Sequence, residues 1–153
     1  MSGTVDAKLA SLGIIVPAAN APAANYVPTV ISGNLLWISG QISMVDGKFL
    51  TGKLGGDVDI DTGRACARQC GINLIAQIKA ALGDLDRVKR VVKLVGFVNS
   101  TPDFTDQPKV VNGCSDLFVE VFGDAGRHAR SAVGVAQLPF NVSVEVEAVI
   151  EFA

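Results

Sequence analysis

The chain has 153 residues, with thirteen Lys+Arg against fifteen Asp+Glu and a net charge of −2; its length suits one domain with room for a real core. Hydrophobic residues make up 49% and charged residues 18%, which excludes intrinsic disorder, and the acidic charge balance offers little for nucleic-acid binding. Three cysteines cannot complete an intramolecular disulfide framework, so they read as small buried hydrophobes in a reducing compartment.

Residues 4–12 read as a short helix with Thr4 as its cap and Gly13 as its stop. From Leu9 to Val45, 37 residues pass without Asp, Glu, Lys, Arg or His. Pro17, Pro22, Pro28, Gly33 and three asparagines interrupt this stretch, so it holds no run long enough to span a membrane. Asp6 and the lack of a basic start argue against a secretory signal. The expectation is a cytoplasmic protein that covers part of its apolar surface by self-association.

Val27–Ile31 and Leu35–Ser39 are short strand candidates joined by Ser32-Gly33-Asn34, which is hairpin chemistry. Residues 43–59 hold four glycines and read as a long loop. From about Asp61 the period changes. Ala67, Cys70, Gly71, Leu74, Ile75, Ile78 and Leu82 give a helical face, with Asp61 or Thr62 as cap and Gly83 as stop. Val88–Val98 favours a strand, and residues 108–122 a second helix ended by Gly123. Ala129–Val135 reads as another strand. In the last one, apolar Val142, Val144, Val146, Ala148, Ile150 and Phe152 alternate with a face bearing Glu145, Glu147 and Glu151. The order α-β-β-α-β-α-β-β predicts an α+β layer with helices on one face of a mixed sheet, in a single domain spanning 1–153.

Most motifs of chemistry are missing. There is no GxGxxG or P-loop pattern. His128 is the only histidine and has no GxSxG partner, which argues against a serine-hydrolase triad. Cys66 and Cys70 lack the second ligand pair of a zinc site, so no metal is expected. Arg87, Lys89, Arg90 and Lys93 read as a solvated basic face.

Two residues stand out. Arg130 lies in an otherwise apolar strand, where an unpaired charge is costly to bury. It is either a strand-end arginine with its head in water or a guanidinium that grips a carboxylate in a bidentate pair. Glu145 is either part of a solvated acidic face or a pocket carboxylate able to orient a water or pass a proton. Alternation does not separate these readings.

Arg130-Ser131-x-Val133-x2-Ala136-x-Leu138-Pro139 followed by Val144-Glu145-Val146-Glu147 resembles the C-terminal signature of the Rid (reactive intermediate deaminase), or YjgF-like, superfamily. An older name is the endoribonuclease L-PSP family. Tyr26, Ile38-Ser39-Gly40-Gln41-Ile42 and Val111-Asn112 fit in the same order, so the resemblance runs from about Pro22 to Phe152 and leaves 1–21 as an extension. It implies a chorismate-mutase-like fold, a homotrimer with sites between subunits, and hydrolysis of enamines and imines such as 2-aminoacrylate to 2-keto acids and ammonia without a cofactor. Position by position, it puts Arg130 on the substrate carboxylate and Glu145 on the attacking water. Tyr26, Ser39 and Asn112 fall on pocket-lining positions. A non-catalytic trimer that binds small carboxylic acids is the alternative, and a ribonuclease suits the charge balance less well. His128, Ala132, Val146, the N-terminal extension and the glycine-rich loop depart from the usual pattern and indicate a longer subgroup.

Overall fold

The structure is a computed structural model that describes residues 3–22 and 24–153. Its centre is a five-stranded sheet built from β1 (Thr29–Ser32), β2 (Leu35–Ile42), β5 (Val88–Asn99), β6 (Ala129–Val135) and β7 (Val144–Phe152), in the order β1-β2-β7-β5-β6. The β5–β6 pair is parallel and the other pairs are antiparallel, so the sheet is mixed as expected. Helices α2 (Ile60–Leu82) and α3 (Gln107–Phe122) pack on one face of it.

The alternation in β7 explains this layering. Val144, Val146, Ala148 and Ile150 are buried beneath the helices, and Glu145, Glu147 and Val149 face the other way. The helices close by backbone-to-backbone approach at glycine. A Cβ at Gly113 of α3 would collide with the Arg64 carbonyl oxygen of α2. The three cysteines are buried and free within this layer.

Among the described residues, no helix packs on the other sheet face. Val30, Trp37 and Val133 are about half exposed there, and Lys93, Val95 and Val149 lie between them in the groove or register. No helix among the described residues is long and apolar enough to cross a membrane.

Three local readings need correction. Residues 43–59 are not all loop: β3 (Met44–Val45) and β4 (Lys48–Phe49) form a hairpin. Asp46 and Gly47, with φ of 50° and 75°, make its two-residue turn, a left-handed pair that Asp-Gly tolerates. The cap of α2 is Asp59, whose carboxylate accepts the Thr62 N–H at 2.8 Å. Helix α1 (Thr4–Ser11) is not capped by Thr4. Its first N–H groups, on Thr4 and Val5, both donate at 2.8 Å to the distant Asp86 carboxylate. With the Lys79–Asp6 ion pair at 2.8 Å, this fixes the N-terminal segment to the body.

Candidate functional site

Arg130 pairs with Leu94 across the β5–β6 ladder and turns toward α3. Its Nη1 donates to Asn112 Oδ1 at 2.7 Å and to Ser115 Oγ at 3.2 Å. Asn112 and Ser115 are three residues apart, so α3 presents both on one face. Ser115 Oγ also meets His128 Nε2 at 2.9 Å, and His128 Nδ1 lies 2.6 Å from the Gly126 carbonyl oxygen. A carbonyl only accepts, so Nδ1 carries the proton and Nε2 takes the Ser115 hydroxyl proton. The serine oxygen is then free to accept from Arg130. Burial pushes the His128 pKa below its ordinary value, opposed by the Gly126 bond and assisted by the Arg130 charge.

Both Nη1 hydrogens of Arg130 are thus engaged. Among the described residues, no hydrogen bond or ion pair engages its Nε or Nη2. That remaining edge carries two parallel N–H donors, the shape a carboxylate fits.

Glu145 lies elsewhere. It sits opposite Phe97 of β5 and Ile42 of β2, half-buried, beside a cavity of about 300 Å³ lined also by Tyr26, Ser39, Gly40, Phe49 and Phe140. Burial raises its pKa first, and the neighbouring Glu147 charge adds to the rise. Gly40 permits the approach, because a Cβ there would lie 2.7 Å from Glu145 Oε2. Ser39 Oγ donates to the Val27 carbonyl at 3.0 Å, holding the Tyr26 segment along the cavity. Buried Gln77 of α2 donates to the Asn20 carbonyl at 2.8 Å and fixes the upstream wall.

The five expected site residues therefore form two groups. Tyr26, Ser39 and Glu145 share the cavity, and Arg130 with Asn112 forms a separate cluster beside α3. Sequence reasoning missed Ser115 and His128 as the support of Arg130. A signal was present: His128 and Arg130 are two apart in an extended segment, which puts them on one side. It also missed Phe140, whose φ of 57° no residue pattern announces.

A family model described as "YjgF/chorismate_mutase-like, putative endoribonuclease" matches residues 6–152. The chain belongs to this family. It is 57% identical to Protein TCP17 of Trypanosoma cruzi over 98% of this chain and 95% of that protein. It is 38% identical to the 2-iminobutanoate/2-iminopropanoate deaminase of Escherichia coli K12, over 85% of this chain and 91% of the relative. The crystal structure of Atu1372 from Agrobacterium tumefaciens, a protein of unknown function, superposes with a TM-score of 0.91 at 50% identity, covering 97% of this chain and 92% of that one. The YjgF-family match includes residues 6–21 of the segment before Pro22, which in this chain supplies Asn20 and Ala21 to the cavity wall.

Proposed function

We propose that the chain is a hydrolytic deaminase of 2-imino acids, converting them to 2-keto acids and ammonia. The observation that carries this reading is the guanidinium of Arg130, with one amino group tied to Asn112 and Ser115 and the opposite edge unengaged among the described residues. A fixed fork of this kind binds a small carboxylate and sets its orientation. Relatives named as imine deaminases support the same chemistry.

Glu145 supplies the second function. Its raised pKa makes it a better proton acceptor than an ordinary surface carboxylate, so it holds a water and takes its proton as the oxygen adds to the imine carbon. The C=N electron pair moves to nitrogen, which takes up the water proton held by Glu145. Glu145 then accepts the carbinolamine hydroxyl proton and delivers it to nitrogen, so that ammonia leaves as the C=O bond forms. Arg130 stabilises charge near the carboxylate throughout. An enamine enters the same route after tautomerising to the imine.

Arg130 and Glu145 face opposite sides of the sheet, which supports a site completed by a second copy of the chain, in the homotrimer that the family resemblance implies. The helix-free sheet face bearing Trp37, Val30 and Val133 gives self-association an apolar surface to cover. The test is loss of imine in the presence of a limited amount of protein, followed as reduced semicarbazone formation. Wild-type acceleration that Arg130→Ala abolishes supports the reading. No acceleration with any imine overturns it.

A further inference from the structure

The cavity beside Glu145 has a wall that imine hydrolysis by itself does not require. Phe49, ending β4, and Phe140, in the turn before β7, stack with ring centroids 4.6 Å apart and planes 11° from parallel. Both rings stay exposed, at 42% and 65%, so the stack is not part of the core.

Phe140 is also held in a costly backbone conformation. It adopts φ 57° and Asn141 follows at φ 58°, two consecutive left-handed residues with no glycine. A specific network maintains them. Fully buried Asn99, at the end of β5, donates from Nδ2 to Asn141 Oδ1 at 3.0 Å and to the Val142 carbonyl at 3.1 Å. Lys53 Nζ donates to Asn99 Oδ1 at 2.7 Å and so fixes which way that amide points. Gln137 Nε2 donates to Asn141 Oδ1 at 3.1 Å, and the Gly52 N–H to the Asn141 carbonyl at 3.0 Å. Strained residues persist where surroundings over-determine them, and such places cluster at ligand-contact positions. Here the strain holds an aromatic ring in solvent, on the rim of the cavity that contains Glu145.

Tyr26, Met44, Pro28 and Pro139 extend this wall, and the polar lining includes Ser39 and Glu145. A one-carbon side chain would leave the wall in contact with water. A ring laid on Phe140 would cover it and find the offset-stacked contact that aromatic pairs favour. Resting on the deaminase reading above, we propose that Phe49 and Phe140 form a specificity wall selecting 2-imino acids with aromatic side chains.

The test compares imines generated in situ from phenylalanine and alanine by an L-amino-acid oxidase, with kcat/KM measured for each on the assembled protein. Wild type is expected to favour the phenylalanine-derived imine by about tenfold or more, a typical return for filling an apolar pocket. Phe140→Ala and, separately, Phe49→Ala are expected to lower that ratio by about fivefold, with Phe140→Tyr retaining it. A wild-type ratio of one or less overturns the specificity wall and leaves imine hydrolysis standing. Absence of turnover with both imines overturns the hydrolytic reading. Selectivity is then read from binding of phenylpyruvate against pyruvate, where equal affinity overturns the wall as well.

Discussion

Arg130 and Glu145 are held on opposite faces of one sheet. Arg130 is in register with Leu94, and Glu145 with Phe97, three residues further along β5 with no bulge between them. An odd separation on a strand reverses the side-chain direction. Leu94 points under the helices, and Arg130 follows it toward α3. Within one chain these two groups do not meet over a common substrate.

The Arg130 fork gives the first prediction. Arg130→Ala should lower kcat/KM for imines by about 10²–10³-fold, the scale of one lost charge-stabilising donor group. Arg130→Lys should recover little, since lysine keeps the charge without the planar pair of donors. Arg130→Ala loses the hydrogen bonds to Asn112 and Ser115, costing on the order of 1 kcal/mol. Urea denaturation should therefore show folded protein with activity removed.

His128 should give the protein an acid-sensitive stability. Its folded pKa lies below its unfolded value of 6.5, chiefly through burial. Above 6.5 the ring is neutral in both states and nothing changes. As pH falls through the folded value, the unfolded chain binds the extra proton more readily and stability is lost. A protonated ring would also place a second cation near Arg130 and remove the acceptor of the Ser115 hydroxyl. His128→Ala should flatten this acid limb of the urea midpoint against pH. An unchanged limb would show that another group is responsible.

Glu145 should show the reverse sign. Its folded pKa is raised, so the native state favours the protonated form. Any stability associated with that shift is present below the unfolded value of 4.5 and lost as pH rises through the folded one. Glu145→Gln should raise the melting temperature relative to wild type at pH 7 to 8 and abolish imine hydrolysis. A variant less stable than wild type across that range would contradict the assignment.

Gly40→Ala tests the packing that positions Glu145. The new methyl group would collide with Glu145 Oε2 and Cδ, at 2.7 and 2.8 Å, and that carboxylate is the flexible end of its side chain. It should swing aside with about 1 kcal/mol or less of stability lost, as for a modest steric insertion. Deaminase activity should fall about tenfold or more through misplaced geometry. Full activity would show that the carboxylate position does not matter.

Where burial imposes a simple period, the fold was legible. The alternation along Val144–Phe152 and the helical spacing from Ala67 to Leu82 located β7 and α2, because one side of each meets the core. Short-range chemistry with long-range partners was not. Thr4 reads as a cap in isolation, but the carboxylate serving α1 comes from Asp86, 82 residues away. Asp46-Gly47 carries the turn signal of the β3–β4 hairpin, hidden among the other glycines of 43–59. At the candidate site, the family signature offered Arg130, Asn112, Glu145, Ser39 and Tyr26 as expectations, and the separation of these residues into two groups was not legible. That separation depends on strand register, which only the paired sheet displays.

The proposed function combines Arg130 of one chain with Glu145 of another in one working site. Arg130→Ala and Glu145→Gln, each inactive alone, should be unfolded together in equal amounts and refolded as mixed assemblies. Random mixing leaves about a quarter of sites with both groups intact. The mixture should therefore regain about a quarter of wild-type imine hydrolysis, while each variant refolded alone stays inactive. Mixed assemblies that remain inactive, with subunit exchange verified by mass, would overturn a site shared between chains.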